Sequence, residues 1–400
     1  MININEAVNI INANTLEPET EQINISTSLH RLLAEDVYAP FPSPRFSNSA
    51  MDGFAVSWAD VAIGQNITLK IVGESQAGIS FVGHFESGNA IRISTGALVP
   101  SVTDTVIPLE DTEHDQNSVK ILRVKEKFQY IRFKGEEFAK GELLLQKETL
   151  LTPPKMALLA SIGKNSLSVY AKPKVAVIIT GTELVSPGQP LSESQIFDTN
   201  SLMLKSAIEQ AGGLVAYYAQ VEDSLAETVT AIMEAKETCQ MIIFSGGVSV
   251  GSHDYVKTAA EKAGFKELFW KVNQRPGKPF FFARNENSLL FGLPGNPVSA
   301  LMCFSYYIYP LIYQFDQRKL TNIVKNIKSV HEVNNEQDRT HLMRIKLLKN
   351  EQQEMAFMVL TRQDSYMLTT VSQADGFIVL NGQQTIQANQ FADVYLFPWS

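Results

Sequence analysis

The clearest pattern along the chain is a series of short apolar runs that stop at glycine-rich turns. Met241-Ile242-Ile243-Phe244 leads into Ser245-Gly246-Gly247-Val248-Ser249-Val250-Gly251-Ser252-His253-Asp254, and Leu289-Leu290-Phe291 leads into Gly292-Leu293-Pro294-Gly295-Asn296-Pro297. Each junction reads as a buried strand, a tight turn and then a helix. Two more apolar runs, 175–179 and 215–219, alternate with helical spacings at Leu204, Ala207, Ile208 and Ala211 and at Leu225, Val229, Ile232 and Met233. This rhythm predicts an α/β unit with a mostly parallel sheet and a binding crevice at the carboxyl edge of its strands.

The flanking regions are patterned differently. Residues 1 to about 40 read as helical and polar, with 29–37 as a short amphipathic element behind Ser26 and Thr27. Pro40, Pro42 and Pro44 then forbid regular helix and favour an extended linker. Short β-like runs at 67–72, 90–93, 105–108 and 119–124 predict a small inserted β domain. A helix over 152–163, with Thr152 before Pro153 and a stop at Gly163, is expected to pack with the N-terminal helix into a discontinuous linking domain. Beyond Asp316 a polar connector precedes alternating runs at 341–347, 354–360, 366–371, 377–380 and 393–397. Five short strands with polar turns predict a β-barrel or sandwich. The expected fold class is multidomain α/β plus β. Its boundaries are a mixed linking domain (1–45 and 133–172), the inserted β-rich domain (46–132), the α/β domain (173–318) and a C-terminal barrel-like domain (319–400).

Composition adds exclusions. With 400 residues, 44% hydrophobic, 19% charged and a net charge of −8, the chain has ample core and no basic surplus for general nucleic-acid binding. Cys239 and Cys303 sit in apolar contexts and read as buried thiols of a reducing compartment. No secretory leader and no membrane-length apolar segment is apparent, so a cytoplasmic location is expected.

The chemistry-bearing residues cluster at the ends of the apolar runs. Neither glycine loop matches GxxxxGK[ST] or a clean GxGxxG, yet both would present backbone N–H groups and a helix N-terminus to an anion. Gly246, Gly247, Ser249 and Gly251 in the first loop, and Gly295 and Asn296 in the second, are therefore substrate-binding candidates. Glu183 in Thr180-Gly181-Thr182-Glu183-Leu184, Asp223 and Asp254 are acidic groups at predicted strand ends; Asp52 stands between Met51 and Gly53. Such carboxylates are turn formers or N-caps when single. Together they suggest Mg²⁺ held by Glu183, Asp223 and Asp254 with a substrate phosphate. Arg275-Pro276-Gly277-Lys278-Pro279 sets two cations around a rigid turn, and Arg92 precedes Ser94-Thr95-Gly96. The six histidines and two cysteines show no zinc-ligand spacing, and no GxSxG is present.

These motifs together resemble the molybdopterin molybdenumtransferase family, whose members insert molybdate into adenylylated molybdopterin with release of AMP. The resemblance spans nearly the whole chain. It rests on Asn48 through Val56, Arg92-Ile93-Ser94-Thr95-Gly96-Ala97, Thr180 through Leu184, Gln195 through Asn200, Ser245 through Gly251 with Asp254, Pro276-Gly277-Lys278-Pro279, Leu293 through Ala300, and Ser372 through Gly376. It implies a four-domain subunit whose α/β domain binds molybdopterin, and a homodimer with an active cleft shared between subunits. Functional weight falls on Asp52, Thr95, Glu183, Asp223, Asp254, Lys278, Pro294 and Pro297. Molybdate, a tetrahedral oxyanion, needs donors, for which Arg92, Ser94 and Thr95 are the candidates. Mg²⁺ and transient contacts with other cofactor-synthesis proteins are implied as well. Thr182, Ser194 and Arg275 depart from the family pattern, where Asp, Gly and Lys are usual. A non-catalytic molybdopterin-binding scaffold and an adenylyltransferase-like enzyme are the alternative readings.

Overall fold

The computed structural model describes residues 1–62, 64, 66–248, 254–315, 323–349 and 353–399. The chain forms two compact units, one of residues 1–22 and 168–400 and one of residues 23–167.

The first unit is built on a six-stranded sheet in the order Leu214–Val221, Lys174–Thr180, Met241–Ser245, Leu289–Leu293, Phe281–Arg284, Lys266–Trp270. The first four strands run parallel; the last two are joined by antiparallel pairing, with Lys266–Trp270 at the edge. Both faces of Lys174–Thr180, Met241–Ser245 and Leu289–Leu293 are covered, which is why these strands are continuously apolar, whereas the edge strand Leu214–Val221 exposes alternate residues. On one face Val175, Val177, Ile179, Ile243 and Phe291 pack under the helix Asn200–Ala211 and the helical segment that starts at Pro297. On the other, Ala176, Ile178, Ile242 and Phe244 meet Ala231, Ile232 and Ala235 of Leu225–Lys236 and Ala259 and Ala260 of Val256–Lys262. Met233, read as part of the buried stripe, is exposed; the small residues Ala231 and Ala235 face the sheet instead. The N-terminal helix Ile4–Asn12 buries Ile4, Ala7 and Ile11 in this same core.

The first unit also contains a closed barrel. Thr340–Lys349 pairs with Met355–Val359, then Ile323–Ser329, Phe391–Leu396 and Gly376–Leu380 follow, and the last pairs back onto Thr340–Lys349. Ile345, Phe357, Ile378 and Val394 fill it. Two expectations are corrected here. The run at 366–371 is not a strand, because Leu368–Gln373 is a short helix that buries Thr370 and Val371. The fifth strand is Ile323–Ser329, whose mostly polar surface hid it in the presumed connector. A short strand, Gln274–Arg275, adds in parallel to Thr340 and His341.

The second unit centres on a six-stranded sheet ordered Thr105–Pro108, Gly53–Val56, Asn89–Ile93, Ile67–Ser75, Ser118–Ile121, Thr112–His114. The amphipathic element expected over 29–37 is not a helix: turns and a bridge of Leu32 to Leu150 replace it, with Leu33 N–H bonded to the Thr149 carbonyl. Leu32, Leu33 and Val37 are buried through long-range pairing while Leu29 stays exposed, and local periodicity does not govern them.

Gly376 begins a barrel strand where a Cβ would collide with the Tyr395 carbonyl. Gly376→Ala is expected to destabilise the barrel by roughly 1–3 kcal/mol, read as a lower midpoint in urea unfolding; an unchanged midpoint would contradict this packing.

Candidate functional site

The two glycine loops meet at the carboxyl edge of the parallel sheet. Ser245 ends one strand, and Gly246 N–H donates to the Leu293 carbonyl, which ends the neighbouring strand. Gly246 (φ +98°) packs its backbone on the end of a third strand: a Cβ there would lie 2.5 Å from Thr180 Oγ1 and 2.8 Å from Thr180 O. Gly295 packs beside it at ordinary contact distance, a Cβ on it lying 3.8 Å from Gly246 Cα. Pro297 opens the helix Pro297–Cys303 at a position where its missing N–H costs nothing. The result is a cleft of about 600 Å³ lined by both loops and by Thr180, Gly181, Asp198 and Asn200.

Glu183, Asp223 and Asp254 all line this cleft, together with Gly246, Gly247, Pro294, Gly295, Asn296 and Pro297. Ser249 and Gly251 lie outside the described residues. No three metal-ligating side chains converge among the described residues. The set therefore does not fit a preformed all-protein cage. It does fit Mg²⁺ bound by one or two carboxylates whose remaining ligands come from substrate phosphate and water.

The remaining candidates lie elsewhere. Arg275 and Lys278 flank the turn at Gly277; Lys278 is exposed, its carbonyl accepting from Val272 N–H at 3.0 Å, and Arg275 Nη2 stands 3.8 Å from Asp364 Oδ1. In the second unit Asp52 Oδ1 accepts the Thr95 N–H at 2.7 Å. That bond joins the residue just before Gly53–Val56 to the turn after Asn89–Ile93, two strands paired in register. Ser94 N–H is already bonded to the Ser75 carbonyl, and Arg92 is exposed opposite Phe54 in the ladder.

Comparison with known proteins decides the family. Residues 2–163 match the MoeA N-terminal region (domains I and II), 176–314 the probable molybdopterin binding domain and 328–397 the MoeA C-terminal region (domain IV). The chain is similar to the molybdopterin molybdenumtransferase of Haemophilus influenzae, 36% identical with 92% of this chain and 91% of that protein covered. The enzyme of the same name from Bacillus subtilis is 36% identical, covering 78% of this chain and 74% of that one. This chain belongs to the MoeA family. The solved molybdopterin biosynthesis MoeA protein of Pyrococcus horikoshii superposes with a TM-score of 0.83 at 28% identity, covering 99% of both chains.

Three polar residues of this MoeA-family chain escape a reading of the sequence alone. Asn200, 6% exposed, donates through Nδ2 to Ser245 Oγ and to the Gly295 carbonyl, both at 2.7 Å, and so ties the two loops together. Arg344 is wholly buried, yet Nη2 alone is engaged, with the carbonyls of Arg362 (3.0 Å) and Asp364 (3.3 Å). Its Nε and Nη1 have no partner among the described residues. Burial lowers this guanidinium to about 10, so it stays charged at neutral pH. His341, paired in register with Arg275, is buried with Nε2 unpartnered. Asn200 was marked only as the last residue of the motif Gln195 through Asn200, without a role; nothing in the pattern marked Arg344 or His341.

Burial first, and then the charges of Arg275, Arg344 and Arg339, lower His341 from 6.5 to about 4. The native state thus excludes a proton that the unfolded chain takes up between those values. The associated stability, roughly 3 kcal/mol, is complete above pH 6.5 and is lost as the pH falls towards 4. His341→Gln is expected to remove this part of the acid sensitivity. Urea unfolding at pH 7 and pH 4.5 would show wild type losing more stability than the variant between the two; equal losses would contradict the assignment.

Proposed function

We propose that the chain is a molybdopterin molybdenumtransferase: it converts adenylylated molybdopterin and molybdate to molybdenum cofactor and releases AMP. The observation that carries this is the cleft at the sheet edge, where two mutually bonded glycine loops and three carboxylates face one cavity. A substrate with a phosphoanhydride requires amide donors and cations for its phosphates; the loops would supply the first, and Lys278, next in sequence to the cleft-lining Pro279, the second. Asn200 holds the loops at fixed separation. Mg²⁺, bound through Glu183, Asp223 or Asp254 together with the phosphates, would neutralise charge as the anhydride breaks. An oxygen of water or molybdate adds to the molybdopterin-side phosphorus, the bond from that phosphorus to the bridging oxygen breaks, and AMP leaves carrying that oxygen.

In this reading the oxyanion is held on the barrel side. Thr95 N–H is committed to the Asp52 carboxylate, a like charge for molybdate. The buried Arg344 has two unsatisfied nitrogen donors, and Arg275 contacts the same residue, Asp364. Ser365, the next residue, accepts from Asn296 Nδ2 at 3.2 Å, which links this cationic group to the cleft. Thr95 is then the residue that orients Asp52. Residues 46–132 would form the inserted domain that presents it.

The test is purified protein with verified adenylylated molybdopterin, molybdate and Mg²⁺. AMP release is expected to need both ions, to stop on chelation and to resume when Mg²⁺ is restored. Arg275→Ala is expected to raise the molybdate concentration for half-maximal release at least fivefold; an unchanged value would remove the oxyanion assignment. No AMP above background, with substrate intact, would leave the molybdopterin-binding scaffold as the reading, and release indifferent to chelation would remove Mg²⁺.

The same proposal includes a homodimer whose cleft takes Asp52 from the partner subunit, as the family resemblance implies. Asp52→Ala and Asp254→Ala, each inactive alone, are expected to regain activity when reassembled together, because a mixed dimer carries one undamaged cleft. Mixed dimers verified by mass spectrometry but inactive would place both residues in one subunit's cleft.

A further inference from the structure

The helix that follows the second glycine loop does not continue as a regular α-helix. Phe304–Ile308 forms a π-helix, with Tyr309 N–H bonded back to the Phe304 carbonyl. This widened turn is energetically poorer than an α-turn and recurs where a side chain must be re-aimed. Here two consecutive tyrosines serve different elements. Tyr306 packs on Phe377 and Tyr395 of the barrel. Tyr307, 3% exposed, stacks on Phe280 at 4.7 Å and sends its hydroxyl to Gln274 Oε1.

Gln274 is fully buried and stands next to Arg275 at the base of the cationic turn. Its Nε2 donates to the Gly277 carbonyl at 3.1 Å and contacts Cys303 Sγ at 3.3 Å. Gly277 (φ +86°) sits so close that a Cβ would collide with Cys303 Sγ. Burial pushes both the Tyr307 hydroxyl and the Cys303 thiol upward, the latter to about 12, so both remain protonated. The proton directions are therefore fixed. Tyr307 donates, Gln274 Oε1 accepts, and Nε2 is left to donate to Gly277. A flipped amide would set Oε1 against the Gly277 carbonyl, two acceptors face to face.

We propose that Tyr307, acting through Gln274, is a positioning residue: the chain Tyr307–Gln274–Gly277 fixes the turn that aims Arg275 and Lys278. This rests on the reading of that turn as anion-binding. The chain has its own cost to remove, since deleting the hydroxyl strands a buried acceptor and frees the amide to turn. Lys278, exposed on the turn, gains its aim from the backbone beneath it, because its flexible stem supplies none.

A double-mutant cycle on the full-length protein tests this. Tyr307→Phe and Gln274→Met are measured in the native and the Lys278→Ala backgrounds, reading kcat/KM for the adenylylated substrate and the thermal midpoint. Tyr307→Phe is expected to lower kcat/KM at least fivefold where Lys278 is present and less than twofold where it is absent. The same factor in both backgrounds, or no loss in either, would reduce the network to packing. Should Tyr307→Phe fail to fold, Gln274→Met completes the cycle and is judged by the same limits. If Lys278→Ala alone leaves kcat/KM unchanged, the anion-binding reading of the turn falls, and the positioning role falls with it.

Discussion

The approach of three backbone segments at one sheet edge is the constraint on which the rest depends. Gly246 lies against Thr180 and bonds to Leu293 only because it carries no side chain, and Gly295 then packs at van der Waals distance from it. Any Cβ at Gly246 would push two strand ends apart at a φ that L-residues rarely adopt. Because Gly246 and Gly295 touch, the two loops share one wall, and Asp254 and Pro297, at the start of the segments behind them, line the same cavity. The continuous apolar strands serve this arrangement: a sheet buried on both faces is stiff enough to hold loop backbones in contact.

The α/β region was legible because its signals are local. Strand, glycine and helix follow one another within a few residues, and the carboxylates at strand ends stand in the same short windows as the glycines. The barrel was legible as a class and not strand by strand. Ile323–Ser329 buries only Ile327 and Ser329 fully, so its exposed Lys325 and Asn326 masked it, while Leu368–Gln373 is too short for a helical period to declare itself. Residues 29–37 failed for the opposite reason. Their apolar spacing suits a helix, but Arg31 and Leu33 find their partners at Leu151 and Thr149, more than a hundred positions away.

The same distinction separates the site residues. Gly246, Gly247 and Glu183 announce themselves by neighbours in sequence, whereas Pro297 reads from its neighbours only as a helix opener. Arg344, His341, Gln274 and Tyr307 do neither, because each is defined by partners from another element. Arg344 reads as an ordinary strand residue of alternating pattern until the loop at 362–364 folds its carbonyls against the guanidinium. Gln274 reads as a polar residue before a proline turn until Tyr307 and Gly277 enclose it. Buried polar groups satisfied by backbone atoms leave no spacing rule behind.

An acidic protein that takes an anionic substrate must separate its charges. With a net charge of −8 the overall field opposes phosphate and oxyanion alike, and long-range steering cannot favour them. Attraction must be local and held at short range. The chain meets this by dividing the task between elements of its first unit. Carboxylates line the cleft at the ends of the parallel strands, while Arg275 and Lys278 sit on a turn whose opening strand, Gln274–Arg275, is hydrogen-bonded into the barrel beside His341. That attachment also explains why His341 must stay neutral: a third fixed cation beside Arg275 and Arg344 would be repelled by both, and burial denies it the water that could screen the charge. The barrel therefore acts as an anchor for the cationic turn, and its closure is what makes that anchor rigid.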